Sequence, residues 1–425
     1  MMRKTQKICP ILSAKLLSKS KEEVPVIVSV KDKDSNNLSN KVFGMSGRVK
    51  YNLPLVGGVA CNMNIKDVAE LSRDSNIDYI CFDSKVFALL DIGTKSIGCQ
   101  IPYTEGYKGE GITIAVIDTG IAPHSDLTKP KNRIVGFKDF VNNKNRPYDD
   151  NGHGTHVAGI IASNGYSSNG KFSGVAPEAN ILGIKALDEE GSGSTSYIIS
   201  AIQWVIETKD VYNTKILNLS LGTPVTDPYS SDPLVKACNE AISAGITVIV
   251  AAGNSGPSSK TILSPGNGPN VITVGAVDDN KTIENDDDVI APFSSRGPTQ
   301  EGFKKPDVVA PGVDITSLSN TKLDGYKSLS GTSMATPFVS GAAALLFNKN
   351  KRLRPSSIKS NLMNNCISLN DSYNNQGNGI ISLDKLFNGK IKESAHINQT
   401  VTNNVFNESI IIIILVLLLL FGAFK

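Results

Sequence analysis

Apolar and polar positions along the chain change their spacing twice, and each change marks a different kind of structure. Residues 24–30 read as an apolar strand, and residues 49–61 hold two more short strands around Gly57-Gly58. Residues 65–73 carry apolar positions at helical spacing, and residues 77–82 read as a strand again. Strands mixed with one or two helices in so short a stretch predict a compact β-α-β-β-α-β module. Residues 1–21 before it are expected to be a polar tail, and residues 95–100 after it a polar linker. From Gly111 onward, nearly continuous apolar runs recur at residues 112–117, 181–186, 216–219, 246–252 and 271–277. Helical spacing separates them at residues 156–162, 196–208 and 233–244. Short runs without alternation are strands buried on both faces, so the expectation is an α/β fold with a parallel sheet between two helix layers.

After Phe387 the chain loses periodicity and becomes rich in Asn, up to an unbroken apolar run of 15 residues at 410–424. As a helix that run is about 22 Å long, short of the ~30 Å hydrocarbon core of a bilayer. Val405, Phe406 and local thinning of the bilayer close the gap. It is apolar on every face and follows a polar linker, so the expectation is a membrane anchor and not a core helix.

Charge and cysteine usage narrow the classes. The net charge is +3 without a basic block interleaved with aromatics, which argues against a nucleic-acid partner. The six cysteines (Cys9, Cys61, Cys81, Cys99, Cys238, Cys366) are scattered, with no Cys-x-x-Cys pair and no grouping with histidine. They read as free thiols in a reducing compartment. Arg3, Lys4 and Lys7 precede an apolar run interrupted by Pro10, Lys15 and Lys19, too short for a secretion signal. Together with the apolar tail this predicts a catalytic part in the cytoplasm, tethered through residues 409–425.

Four segments carry candidate chemistry. In Ala115-Val116-Ile117-Asp118-Thr119-Gly120 a carboxylate follows directly on a buried strand. Such an acid serves catalysis, a ribose contact or a turn, and Asp-Thr-Gly is also the mark of aspartic proteases. In Asp150-Asn151-Gly152-His153-Gly154-Thr155-His156-Val157-Ala158-Gly159 stand two of the chain's four histidines. No Glu follows His153 as zinc proteases require, so a metal pair is not indicated. The small residues after Thr155 suggest a helix that presents one histidine at its N-terminus and turns the other inward, with His156 the structural one. In Val250-Ala251-Ala252-Gly253-Asn254-Ser255-Gly256 the asparagine is a turn residue or an amide aimed at an oxyanion. In Ser330-Gly331-Thr332-Ser333-Met334-Ala335-Thr336-Pro337, leading into a run of small residues, Ser333 begins a tightly packed helix with Pro337 in its first turn. A serine there is a helix cap, or a nucleophile whose backbone N–H is free to meet an oxyanion.

Together the four segments resemble the subtilisin-like serine proteases (subtilases), whose chain order is that of Asp118, His153 and Ser333. The resemblance extends to Phe293-Ser294-Ser295-Arg296-Gly297-Pro298 and Lys305-Pro306-Asp307-Val308-Val309-Ala310-Pro311-Gly312, and covers roughly residues 100–387. It implies a subtilisin-like, doubly wound, mostly parallel sheet with helices on both faces, preceded by a small ferredoxin-like propeptide. The corresponding segments are a tail (1–21), a propeptide that assists folding and inhibits (22–90), a catalytic domain (91–387), a linker (388–408) and an anchor (409–425). It further implies an endopeptidase acting on proteins or peptides through an acyl-enzyme. Ser333 is the nucleophile, His153 the base, Asp118 its orienting acid, and Asn254 with the Ser333 N–H the oxyanion donors.

Ser220-Leu221-Gly222 and Gly191-Ser192-Gly193 resemble the substrate-binding edges, between which an extended peptide adds as a strand. Ala251 to Gly253 is the expected wall of the primary pocket, with Leu221 and Ile198 offering an apolar surface further along. Self-cleavage is expected between Phe87 and Lys95. Phe338 stands where the family usually has His, which implies altered packing. No cofactor is implied for the chemistry. The resemblance leaves a structural calcium open, with Asp126 as one ligand, although residues 163–173 do not clearly reproduce the calcium loop of secreted subtilisins. The competing readings are a catalytically silent peptide-binding homologue and a dimeric aspartic protease built on Asp118.

Overall fold

The structure is a computed structural model that describes residues 7–18, 22–31, 36–83, 85–88 and 96–388. The expected anchor and most of the linker lie outside the described residues, as does most of the expected self-cleavage window. Among the described residues no helix is long and apolar enough to cross a membrane.

The N-terminal module contains α1 (Pro10–Leu17), β1 (Glu23–Val30), α2 (Asn36–Gly44), β2 (Arg48–Leu53), β3 (Gly58–Asn64), α3 (Ile65–Leu71) and β4 (Ile77–Phe82), followed by β5 (Lys85–Ala88). Its sheet runs β2-β3-β1-β4 with every pair antiparallel, the β-α-β-β-α-β arrangement expected from the pattern. The polar tail is a correction: Ile8 bridges Ile80, Cys9 N–H donates to Ile80 O at 3.0 Å, and Leu12 of α1 is fully buried. Pro10 starts α1, where a missing N–H leaves no helical bond unmade. The linker is corrected as well, because Ile97 is buried and its carbonyl accepts the Leu383 N–H at 2.9 Å.

The remaining chain supplies, in order, α4 (Gln100–Thr104), β6 (Thr113–Asp118), α5 (Ser125–Thr128), β7 (Ile134–Asp139), α6 (His153–Ala162), β8 (Asn180–Lys185), β9 (Ser192–Ser194) and α7 (Thr195–Tyr212). Then come β10 (Thr214–Leu219), β11 (Leu221–Gly222), α8 (Pro233–Ser243), β12 (Thr247–Ala251), β13 (Ile272–Asp278), β14 (Val289–Ile290), β15 (Val308–Pro311), β16 (Ile315–Leu318), β17 (Tyr326–Leu329), α9 (Thr332–Lys349) and α10 (Pro355–Asn364). Seven adjacent strands of the ten-stranded central sheet, β15-β13-β12-β10-β6-β8-β7, are all parallel, and β14 pairs antiparallel with β13.

Alternate residues of one strand serve the two helix layers. Ile114 and Val116 of β6 join the core of α6 and α9, while Ala115 and Ile117 join that of α7 and α8. Strands buried on both faces need apolar residues at every position, which is why these runs were readable. The strand order reverses between β6 and β10, and an open α/β sheet has its natural crevice at such a point, beyond the C-terminal strand ends.

The module sits on the α7 and α8 face, and its apolar residues continue the same core cluster. Tyr51 meets Tyr197 edge-on with ring centroids 5.3 Å apart. Tyr79 OH donates to Asp227. Asp83 is buried and accepts from Ser196 N–H (3.0 Å) and Ser196 Oγ (2.8 Å) in the first turn of α7, where the helix dipole favours a carboxylate. Desolvation still pushes its pKa up.

Candidate active site

Three strand ends and two helix starts converge at the crevice. Asp118 closes β6 and is fully buried; its Oδ1 accepts the Thr119 N–H at 2.7 Å and lies 2.7 Å from His153 Nδ1. A carboxylate at that distance fixes the proton on Nδ1 and leaves Nε2 as the basic nitrogen. Asp118 Oδ2 is buried without a partner among the described residues.

His153 is the first residue of α6, after Gly152 in the left-handed region at φ 98°. Gly154 brings the helix start onto β6: a Cβ there would come within 2.2 Å of Gly120 O and 3.0 Å of Asp118 Cβ. The loop before His153 is gathered by Asp149. Its Oδ1 accepts from Thr119 Oγ1 (2.9 Å), Asn151 N (3.1 Å) and Gly152 N (2.7 Å), and its Oδ2 from Thr155 N (2.9 Å) and Thr155 Oγ1 (2.6 Å). Lys185, fully buried and paired with Asp118 across β6 and β8, ties three segments together. Its Nζ donates to Thr119 O (2.8 Å), Leu187 O (2.8 Å) and Asp150 Oδ1 (2.5 Å).

Ser333 is the second residue of α9, and its first-turn N–H has no helical acceptor. Its hydroxyl donates to Ser220 O at 2.9 Å, and its carbonyl accepts from Ser220 Oγ at 2.8 Å. Pro337 explains the second bond. It lies inside α9, one turn beyond the expected position, and lacks the N–H that would have occupied the Ser333 carbonyl. Ser220 Oγ in turn accepts from Asn218 Nδ2 at 3.0 Å. Asn254 is oriented by its neighbour: the Thr332 N–H (3.0 Å) and hydroxyl (2.9 Å) both donate to Asn254 Oδ1. Two donors settle which end of the amide is oxygen and leave the Nδ2 hydrogens for another acceptor.

His156 is the inward-facing histidine expected from the sequence. Its Nε2 donates to Ile315 O at 3.1 Å and Lys327 O at 3.2 Å, and burial depresses its pKa to about 3. A histidine depressed in the fold contributes stability above its ordinary value of ~6.5 and loses it as pH falls toward the folded value. The urea midpoint of an uncleaved Ser333→Ala protein should therefore fall from about pH 7 to about pH 5, and less steeply with His156→Gln. Equal slopes in the two proteins count against this assignment.

The two expected substrate edges face one another across β5. Lys85, Val86 and Phe87 pair antiparallel with Ser194, Gly193 and Ser192, while Phe87 and Ala88 pair with Gly222 and Leu221. The strand order β11-β5-β9 makes a segment of the chain the middle strand. Gly191 turns the chain into β9 at φ 75°. Ala251 ends β12 and Gly253 follows it, both buried. With the module in place, Leu221 and Ile198 are both fully buried in the core shared with it. Phe338 packs into the α6 and α9 core, also fully buried.

All six cysteines are free, five of them buried and Cys366 half-buried. Asp126 does not fit a calcium ligand well. Its oxygens accept from Ser163 Oγ (2.9 Å), Tyr326 OH (2.7 Å) and Ser167 N (2.8 Å), so protein donors already occupy them. No cluster of three metal-ligating side chains exists among the described residues.

Asp149, Lys185 and Thr332 escape sequence reasoning, because each acts by holding a loop. The one legible signal is Asp149 itself, an acid four residues before His153 in a turn-rich stretch.

Residues 109–383 match the Subtilase family. Over 313 residues the chain is 48% identical to the serine protease AprX of Bacillus subtilis, a span of 69% of this chain and 70% of that protein. It is 34% identical to subtilisin E of the same organism over 384 residues, 88% of this chain and 92% of that one. Subtilisin DY of Bacillus licheniformis is 40% identical over 285 residues, 66% of this chain and 92% of that protein. The family match and the similarity over most of the length agree, and the chain belongs to the subtilases, the subtilisin-like serine proteases.

Proposed function

We propose that this serine protease is an endopeptidase that works through an Asp118–His153–Ser333 triad and releases its own N-terminal module by self-cleavage. The observation that carries the reading is the 2.7 Å contact between the fully buried Asp118 and His153, at the start of α6, a helix that packs against α9. In the reaction the Ser333 hydroxyl turns from Ser220 O toward His153 Nε2, which takes its proton as Oγ bonds to the scissile carbonyl carbon. The C–N bond then breaks and the same proton goes to the leaving amine. Water, deprotonated by His153, releases the acyl group and restores the Ser333 hydroxyl. Asp118 holds the Nδ1–H tautomer and offsets the imidazolium charge. Asn254 Nδ2 and the Ser333 N–H receive the oxyanion.

The seat of β5 between β9 and β11 supports a module that holds the cleft until it is cut away. A fluorophosphonate probe tests the nucleophile: covalent label on Ser333 is expected, and label that survives Ser333→Ala rejects the reading. Asn254→Leu should lower kcat by about 10²–10³ with KM little changed, because the amide acts on charge that exists only in the transition state. A loss confined to KM contradicts the oxyanion role.

A further inference from the structure

The wall of the primary pocket contains a side chain that its glycines do not predict. Leu263 bridges one expected substrate edge, residues 220–222, and the expected wall of the primary pocket, residues 251–253. Its N–H donates to Ala252 O at 2.9 Å, and the next residue, Ser264, exchanges two 2.9 Å backbone bonds with Thr223. The Leu263 side chain lies between Gly222 on one side and Gly253 on the other. A Cβ added to Gly253 would come within 2.5 Å of Leu263 Cγ and 2.8 Å of Leu263 Cδ1. One added to Gly222 would come within 3.0 Å of Leu263 Cβ and 3.1 Å of Leu263 Cδ1. One methyl group, Cδ1, is thus in contact range of both glycines.

Glycines on facing segments leave a slot where a guest side chain enters, and here leucine occupies part of it. Ile262 and Ser264 are buried, but Leu263 between them is only half-buried, so it lines an accessible surface and not the core.

We infer that Leu263 is a specificity-determining residue: it shortens the primary pocket, so that the protease cuts after short side chains such as Ala and Ser and rejects Phe and Tyr. The inference rests on the proposed function and on the expected cleft, with Gly222 on a substrate edge and Gly253 in the wall of the primary pocket. An aromatic ring displaces a leucine methyl only by strain in the packed wall, whereas a methyl or hydroxymethyl group fits in front of it. Differences of one or two carbons in such a pocket are worth roughly 10- to 200-fold in kcat/KM.

The test uses the mature protease and peptide p-nitroanilides identical except for a final Ala or Phe, with active enzyme counted by fluorophosphonate titration. Wild type is expected to favour Ala by at least roughly tenfold, and Leu263→Gly to raise kcat/KM for Phe roughly 10- to 200-fold while Ala changes less than about threefold. Leu263→Ala should fall between them, and it answers the question if the glycine variant does not fold. A wild-type preference for Phe overturns the inference, as does an unchanged Ala-to-Phe ratio in probe-labelled variants. Wild type that neither takes the probe nor cleaves any substrate overturns the reading of the site as well, which separates the two failures.

Discussion

Alanine in place of Ser333 is expected to leave a folded, full-length and inactive chain, with kcat lowered by about a millionfold, the scale on which subtilisin loses activity without its nucleophile. The fold should survive because the bond from Ser220 Oγ ends on the Ser333 backbone carbonyl, which the substitution leaves in place. Among the described residues, the hydrogen bond that disappears is the one from Oγ to Ser220 O. Without the nucleophile the module stays attached, so intact-mass measurement should find the whole chain where wild type yields a shortened one. Peptidase activity within tenfold of wild type, or a module still removed in pure Ser333→Ala protein, rejects the proposed chemistry.

Asp118→Asn should lower kcat by about 10⁴ and change KM only a few-fold. The amide has the size of the carboxylate but neither its charge nor two accepting oxygens. The imidazole loses the partner that fixes the proton on Nδ1, and the cation formed during attack loses its counter-charge. Circular dichroism and fluorophosphonate labelling over time separate the cases: an unchanged spectrum with slow labelling is expected. A variant that retains more than about a tenth of wild-type kcat shows that Asp118 is not the orienting acid.

Much of the fold was legible because buried parallel strands have no polar positions to hide behind. The runs that became β6, β8, β10, β12 and β13 were read within a residue or two at each end. Elements that touch the core with only one or two residues were missed. In α2, among the described side chains, Leu38 and Val42 are the buried ones, and most other residues are polar. The sheet-edge strand β7 is buried only at its two ends, so no apolar run announces it. Pro10 interrupts an apolar run in the sequence, yet in the fold it is the first residue of α1.

The same distinction holds at the site. Asp118, His153, Asn254 and Ser333 stand in short motifs whose spacing is readable. The carboxylate of Asp149, the ammonium of Lys185 and the proline that frees a carbonyl for Ser220 act through contacts far apart in sequence. Leu263 shows the limit most clearly, because no pattern says which glycines it lies between.

If the module is released as proposed, the seam between β9 and β11 loses its middle strand β5. Each of these short strands then has a bare backbone edge, and a sheet closes over the gap only if a guest supplies a middle strand. A guest residue already in a helix, or in the interior of a sheet, has no carbonyl or amide to lend. The seam therefore discriminates by conformation before any pocket reads a side chain. On the proposed reading it favours chains that have come unfolded, or loops long enough to be drawn out straight, over compact neighbours.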